Sequence, residues 1–144
     1  MYQIITDGSW DMGSERAARF GVEVVPYYVT MDGEHYLKEI KELDVRDFYQ
    51  FMVDNPKTFP KTSLPTVQDY YDVFEKYAKQ GIDIICFTLS AKFSGSYNSA
   101  RNAGSMILEN YPDIRVTVMD TTLATLMQGL MIQEILRFQR SGKG

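Results

Sequence analysis

The sequence predicts an α/β fold, in which a mostly parallel sheet carries helices on both faces. Short apolar runs alternate along the chain with segments of helical periodicity, and this alternation is typical of parallel strands joined by crossover helices. The apolar content of 44% and the charged content of 24% are ordinary for a globular protein. With 144 residues, the chain has about the length of one domain. We therefore expect residues 1–144 to form a single α/β domain.

Each element follows from a local pattern. Apolar or β-rich runs predict strands at residues 2–5, 22–29, 34–37, 82–89 and 114–119. Helical periodicity predicts helices at residues 14–20, 44–52, 66–78, 97–108 and 124–139. In the second strand, Pro26 lacks an N–H and predicts an edge position or a bend. Asp44 and Thr66 are residue types that cap helices, and Thr66 begins a capping-box pattern. Residues 55–65 contain three prolines, which exclude a helix and predict a stiff loop.

Composition and charge exclude several classes of protein. Fifteen Lys and Arg against nineteen Asp and Glu give a net charge of −4, so nucleic acid and anionic membrane surfaces are not expected partners. The single cysteine, Cys86, lies in an apolar run, which excludes a disulfide framework and a cysteine-based metal site. The first residues are neither basic nor long and apolar, so we expect no signal peptide and no membrane insertion. The cytoplasm is the expected location, with no cofactor and no bound metal.

The end of the chain predicts a missing neighbour. The last predicted helix has a wider apolar stripe than one contact with a sheet requires, and a glycine-rich end, residues 141–144, follows it. We therefore expect the chain to be the N-terminal portion of a longer protein whose C-terminal domain is absent.

The expected ligand site lies at one edge of the sheet, because ligands of open parallel sheets bind beyond the carboxyl ends of the strands. Three polar loops fall at this edge: residues 7–9, 90–96 and 120–122. The proline-rich segment with Thr62 and Ser63 is expected to reach the same edge. The turn Ser94-Gly95-Ser96 would begin a helix, whose free N–H groups and positive end favour an anion. An equally supported alternative is that Ser94 only caps the helix.

Motifs of catalysis are missing from the sequence. A serine hydrolase needs a G-x-S-x-G turn and a histidine base, yet the turn does not occur, and the one histidine, His35, lies in a predicted hairpin. Asp7 and Asp11 could share a metal ion, but no third carboxylate lies nearby in the sequence. We predict no catalytic residue. Asp7 is instead expected to accept hydrogen bonds from backbone N–H groups and to support the loops together with Ser9 and Asp120.

Two motifs in the chain are specific: Thr-Ser-Leu-Pro at residues 62–65 and Ser-Gly-Ser-Tyr at residues 94–97. Further segments of the same kind are Ile5-Thr6-Asp7-Gly8-Ser9, Val24-Val25-Pro26, Leu89-Ser90 and Val118-Met119-Asp120-Thr121, followed by Gly129. In their order and spacing along the whole chain, these segments resemble the DegV family. Gly8 departs from the serine that is common in the family, and Ser96 replaces the usual threonine, so a looser first loop is expected.

This resemblance implies a bacterial fatty acid binding protein of two α/β domains, of which the chain would be the first. Members of the family hold a long-chain fatty acid in an apolar tunnel and present its carboxylate to a partner fatty acid kinase, which makes acyl phosphate. By position, Thr62 and Ser94 would hold the carboxylate, framed by Ser63, Gly95 and Ser96. The second domain would add head-group residues and close the tunnel. The leading prediction is a lipid-binding carrier without catalytic turnover.

Two other functions stay open from the residues alone. One is a phosphotransfer or nucleotide-binding α/β domain, which would use Ser94-Gly95-Ser96 as an anion turn and Asp7 with a divalent metal. The other is a structural fragment that assembles into dimers through its exposed apolar helix.

Overall fold

The structure, a computed structural model, describes residues 2–142. Its strands are β1 Tyr2–Asp7, β2 Glu23–Val25, β3 Tyr28–Thr30, β4 Tyr36–Lys38, β5 Lys61–Ser63, β6 Asp83–Thr88 and β7 Val116–Asp120. Its helices are α1 Gly13–Phe20, α2 Val45–Asp54, α3 Val67–Ala78, α4 Ser96–Asn110 and α5 Thr125–Arg140. A short 3-10 turn, Gly8–Trp10, directly follows β1.

The main sheet is entirely parallel and has the strand order β2-β1-β6-β7. The two inner strands are aligned with Ile5 opposite Cys86, and Cys86 in turn lies opposite Val118. Because all four strands run in one direction, their carboxyl ends meet at a single edge. Asp7 and Asp120 both lie at that edge. The predicted α/β class with a parallel sheet is confirmed.

Helices cover both faces of this sheet and bury two separate cores. On one face, α3 and α4 pack through Tyr70, Phe74 and Ala100 against the inner strands. On the other face, α1 and α5 enclose Trp10, whose side chain is fully buried. On the face covered by α3 and α4, a small residue allows close packing, because a Cβ built on Gly104 of α4 would lie 3.2 Å from Cγ1 of Val116.

A second, smaller sheet contains the predicted hairpin, which β3 and β4 form, but its third strand and its separation from the main sheet were not predicted. It is antiparallel, with the order β4-β3-β5, and it changes two expectations. Residues 22–29 do not form one strand, because Pro26 ends β2 and the chain bends before β3 joins the small sheet. Residues 55–65 are not all loop, since Lys61–Ser63 lies between two prolines, keeps its N–H groups and pairs with β3. The prolines of this segment predicted a loop and gave no sign of the pairing with β3.

The helix starts follow the predicted caps. The Asp44 carboxylate accepts the N–H of Arg46 at 2.8 Å, and Thr66 and Asp69 form a reciprocal capping box at the start of α3. Among residues 2–142, the structure contains no helix that combines the length and the apolar character needed to cross a membrane.

Candidate functional site

A buried carboxylate organises the carboxyl edge of the main sheet. Asp7 ends β1 and is completely buried, yet both of its oxygens are hydrogen-bonded. Oδ1 lies 2.6 Å from Ser9 Oγ and 3.0 Å from Gln128 Nε2, and Oδ2 lies 2.8 Å from Leu89 N, 2.8 Å from Ser96 Oγ and 3.4 Å from the Tyr27 hydroxyl. We call these residues the Asp7 cluster. Such a donor set stabilises a charged carboxylate away from water, and it ties β1 to α4, α5 and the end of β6.

The turn Ser94-Gly95-Ser96 meets the Asp7 cluster at the start of α4. The cap position of this helix is Gly95, which has no side chain to cap with. The Ser94 hydroxyl oxygen instead accepts the N–H of Ser96 at 3.1 Å, so Ser94 caps the first turn, and its contact with a ligand stays a prediction. Ser96 is fully buried, and its hydroxyl lies 2.8 Å from Asp7 Oδ2 and 2.5 Å from the Tyr70 hydroxyl. Ser96 therefore supports the turn from within, and it does not reach the surface.

Ser94 is half-buried at the start of α4. Its oxygen accepts the N–H of Ser96 at 3.1 Å and faces the Tyr27 hydroxyl at 3.3 Å. Burial, followed by the charge of Asp7, raises the pKa of Tyr27 to about 12, so Tyr27 keeps its proton at neutral pH and acts as a donor. The single Tyr27 proton lies within reach of both Asp7 Oδ2 and Ser94 Oγ. When Tyr27 donates it to Ser94, the Ser94 hydroxyl can itself donate to an anion placed beside the first N–H groups of α4.

Thr62 lies in a different setting, on the small sheet. It is opposite Val29, its side chain is exposed, and its hydroxyl has no hydrogen bond with the residues that the structure describes. It lines a pocket of about 210 Å³, which we call the Thr62 pocket. The pocket is formed mainly by β3, the segment after β4 and the first turns of α2, and its lining includes Asp11, Val29, Glu39, Ile40, Phe48 and Tyr49.

Ser63 and Thr62 face opposite sides of β5, because side chains alternate along a strand. Ser63 lies opposite Tyr28, whose hydroxyl is 2.8 Å from Asp69 at the start of α3. The following residue links the two halves of the predicted site: Cδ2 of Leu64 lies 3.4 Å from the position of a Cβ on Gly95. The Thr62 segment and the Ser94 turn are therefore neighbours, although their hydroxyls share no hydrogen bond within residues 2–142.

The remaining predicted support residues act on different loops. Ser9 lies in the Asp7 cluster, where its hydroxyl is also 2.7 Å from Gln128 Oε1. Asp120 is outside this cluster. Its carboxylate accepts the N–H of Ala91 at 3.2 Å and of Thr122 at 2.9 Å, so it holds the far end of the loop that leads to Ser94.

Three members of the site were missed by the sequence reasoning: Tyr27, Gln128 and Glu39. Gln128 is completely buried on α5, and a polar residue inside an otherwise apolar helix stripe is a signal that could have found it. Tyr27 follows the bend at Pro26, which turns its side chain toward Ser94. No local pattern marks Glu39, because only the pairing of β3 with β4 brings it to the site.

Glu39 fills the space above Gly8. A Cβ on Gly8 would lie only 1.6 Å from Glu39 Oε1, so a serine at this position could not coexist with the Glu39 side chain as placed. The same oxygen accepts the N–H of Tyr27 at 3.0 Å. The glycine therefore does not leave the first loop loosely packed, because the carboxyl group of Glu39 occupies the room that it provides.

A larger cavity, about 890 Å³, lies at the opposite edge of the sheet. Its lining includes Tyr2 and Asp83 at the amino ends of β1 and β6, and Arg140 at the end of α5. Asp83 is already paired with Arg115 through two hydrogen bonds of 3.0 and 2.8 Å. Ligands of parallel sheets bind at the carboxyl edge, so this cavity is separate from the candidate site.

A metal site is not supported at Asp7. Within residues 2–142, no group of three or more His, Cys, Asp or Glu side chains is placed to hold a metal ion. Both oxygens of Asp7 already face hydrogen-bond donors, which a cation would have to displace. The geometry thus favours a structural role for this carboxylate.

Comparison with protein families and with curated proteins gives one consistent match. A family model described as "Uncharacterised protein, DegV family" matches residues 1–144. A DegV domain-containing protein of Clostridium perfringens is 34% identical over 141 residues, covering 98% of this chain and 49% of the relative. One from Halalkalibacterium halodurans is 36% identical over 140 residues, covering 96% of this chain and 47% of the relative. The chain therefore spans about half the length of the curated relatives it matches.

Solved structures of the same fold are described as fatty acid binding proteins. A stearic acid-binding protein from Eubacterium ventriosum has a TM-score of 0.95 and 43% identity, with 100% of this chain and 49% of that chain covered. A fatty-acid-binding DegV family protein from Thermus thermophilus has a TM-score of 0.81 and 28% identity, with 99% and 49% covered. DegV of Bacillus subtilis, a fatty acid binding protein, has a TM-score of 0.85 and 25% identity, with 98% and 48% covered.

Proposed function

The chain belongs to the DegV family, and on that premise we propose that it binds the carboxylate end of a long-chain fatty acid. The observation that carries this proposal is the position of the Ser94 hydroxyl at the start of α4, where it contacts Tyr27 and Ser96. Thr62 would supply a second donor from β5, next to the same turn. Two hydroxyls and the free N–H groups of a helix start suit an anion that brings its own apolar tail.

The acyl tail would supply most of the affinity. About fifteen methylenes at roughly 0.8 kcal/mol each give on the order of 12 kcal/mol before the cost of association is subtracted. The Thr62 pocket, at about 210 Å³, is smaller than a typical complete ligand site of about 300–1,000 Å³. We therefore propose that this chain is the N-terminal domain of a two-domain protein, and that the tail continues into the second domain.

We further propose that the domain catalyses no reaction and presents the bound carboxylate to a partner fatty acid kinase. The two side chains best suited to nucleophilic or base chemistry support this view. Burial raises the pKa of the Cys86 thiol well above its usual range, and His35 is exposed on the β3–β4 hairpin beside Asp32. The free, buried thiol also fits the reducing cytoplasm, where we place this binding step.

Native mass spectrometry of the full-length protein, purified from bacteria, tests the proposal. We expect an added mass that matches one long-chain fatty acid and disappears after delipidation. A full-length protein that is always empty, and that does not take up oleate or stearate added after delipidation, would contradict it.

Single substitutions test the assigned donors. We expect Ser94→Ala and Thr62→Ala each to weaken fatty acid binding by about 0.5–1.5 kcal/mol, because each removes one hydrogen bond to the carboxylate. Titration of delipidated protein with a fluorescent fatty acid measures this change. Ser105→Ala is the matched control, since the Ser105 hydroxyl is on the exposed side of α4 and contacts only the carbonyl of Arg101. Unchanged affinity in both test variants would remove these hydroxyls from the site.

A further inference from the structure

We propose that Glu39 is a proton-binding residue of the ligand site, which takes up a proton when the fatty acid carboxylate binds and then donates a hydrogen bond to it. This proposal rests on the proposed function, and it assigns a role to the carboxyl group of a residue that lines the Thr62 pocket. It predicts that the affinity for a fatty acid depends on pH.

The geometry of Glu39 fixes one oxygen and leaves the other available. Oε1 lies over Gly8 and accepts the N–H of Tyr27 at 3.0 Å. Oε2 makes no hydrogen bond within residues 2–142, and Glu39 and Thr62 are both lining residues of the Thr62 pocket. A protonated Glu39 would therefore carry its hydrogen on Oε2, the oxygen that accepts no hydrogen bond.

The charges around Glu39 favour the neutral form. The titratable groups that face it come from four segments: Asp7 at the end of β1, Asp11 after the 3-10 turn, Tyr27 between β2 and β3, and Asp44 at the start of α2. Burial raises the pKa of Glu39, the N–H of Tyr27 opposes this rise, and the charges of Asp7 and Asp11 add to it. The nearby Lys38 does not compensate, because its ammonium group is paired with Asp69 on the other side of the small sheet.

A bound fatty acid adds another negative charge to this pocket. Two carboxylates that share a site cannot both stay ionised without strong repulsion, and the pair then holds a proton between them. Asp7 offers no free oxygen to the ligand, since both of its oxygens already face donors of the Asp7 cluster. Glu39 has a free oxygen at the pocket and is therefore the group that we expect to become protonated.

Isothermal titration of decanoate, a soluble fatty acid that is fully ionised at pH 6–8, into the delipidated full-length protein tests this assignment. The observed heat is measured in two buffers with different ionisation enthalpies, which gives the number of protons taken up. We expect net uptake at pH 7, and a dissociation constant that rises about three- to tenfold per pH unit between pH 6 and 8. In Glu39→Gln, the amide can donate a hydrogen bond without first taking up a proton. Proton uptake should therefore vanish, and the dissociation constant should become nearly independent of pH.

Glu34→Gln is the matched control, because Glu34 is an exposed glutamate of the β3–β4 hairpin, and it should keep the proton uptake of the wild type. Wild-type binding without proton uptake would overturn the proposal, and so would uptake that persists in Glu39→Gln. The first of these outcomes needs no variant, so it holds even if Glu39→Gln folds poorly. Absence of decanoate and oleate binding in all proteins would instead overturn the proposed function itself.

Discussion

Asp7 has an unusual position for an acidic side chain, since it is fully buried and forms no ion pair with any residue between 2 and 142. Its charge is stabilised by hydrogen bonds alone, from one backbone N–H and from neutral side chains. A buried ion is tolerated only when such donors are already in place. The cluster therefore holds the Ser94 turn in one arrangement, with or without a ligand.

Replacing Asp7 by asparagine tests this role. We expect Asp7→Asn to lower the free energy of unfolding by about 3 kcal/mol or more, because an amide nitrogen would face buried donors that lose their acceptor. Urea denaturation followed by circular dichroism measures the loss. Asp113→Asn is the control, because Asp113 is exposed and its substitution should change stability by less than about 0.5 kcal/mol.

The residues of the site differ in how far the sequence could reveal them. Asp7 and Ser94 follow strands or begin a helix, so the edge rule for parallel sheets places them correctly. Tyr27 and Gln128 contact Asp7 across 20 and 121 positions of the chain. Local sequence patterns do not predict contacts at such separations. Glu39 was missed for the same reason. The ligand roles of Thr62 and Ser94 stay predictions.

At the scale of single elements, the start of α3 shows how a helix cap and the small sheet share one carboxylate. Asp69 accepts from the N–H and hydroxyl of Thr66 at 2.9 and 2.6 Å. It also lies 2.8 Å from the Tyr28 hydroxyl and 3.0 Å from the Lys38 ammonium group. Through these contacts, Asp69 fastens β3 and β4 to α3 and so positions β5 between them and the Ser94 turn.

We expect the contacts of Asp69 with Thr66, Lys38 and Tyr28 to weaken in acid. Burial opposes the shift, but the hydrogen bonds from Thr66 and the contacts with Lys38 and Tyr28 lower the pKa of Asp69 to about 2. The folded-state pKa is below the usual value of about 4, so the stabilisation is complete above pH 4 and is lost as the pH falls toward 2.

Denaturation of the wild type and of Asp69→Asn between pH 2 and 6 measures this loss. The stability difference between the two proteins should shrink as the pH falls. Asp72→Asn removes the same charge from the exposed side of α3 and accounts for general charge effects. A difference that is constant over the whole range would show that Asp69 acts only through its shape.

The contact of α5 with the 3-10 turn gives a second prediction at this scale. A Cβ on Gly129 would lie 2.4 Å from the carbonyl oxygen of Trp10 and 2.7 Å from Cε of Met12. Since the first neighbour is backbone, we expect Gly129→Ala to destabilise the protein by about 1–3 kcal/mol. Thermal unfolding provides the measurement. In Gly104→Ala, the near contact is a side-chain methyl of Val116 at 3.2 Å and not backbone, so the strain should be smaller, and the gain in helix propensity should offset part of it.

For the molecule as a whole, the most uneven feature is the distribution of apolar surface. Helix α5 buries Ile132 and Leu136 but leaves Leu126 and Leu130 about half exposed, at 50% and 47%. No residue of α2 is buried, although its apolar positions follow the predicted helical spacing. Exposed patches of this kind mark contact surfaces, and they match the wide apolar stripe noted in the sequence.

We expect residues 1–144, expressed alone, to self-associate as their concentration rises. The apolar side chains on α5 provide the driving force, and Leu126→Glu with Leu130→Glu should suppress it. Light scattering over a dilution series measures the mean mass. The control is Glu109→Gln on α4, an exposed position outside this patch. A mean mass that does not change with concentration would contradict the expectation.

The parallel sheet and the hairpin of β3 and β4 could be predicted from the sequence, but the third strand of the small sheet could not. Strands β1, β6 and β7 are apolar runs bounded by turns, so composition and periodicity identify them. Each strand of the small sheet has three residues, too few for an alternating pattern. The strand Lys61–Ser63 is also polar throughout, and only its pairing with β3 makes it a strand.

The position of β1 in the main sheet determines when that sheet can form during synthesis. Its first partner, β2, leaves the ribosome soon after it, but its second partner, β6, begins only at Asp83. Until then, Ile4 and Ile5, both buried in the finished fold, have no complete core. A nascent chain of this protein thus has a long interval in which chaperones can recognise its opening segment, and the sheet is completed only after β6 and β7 have been made.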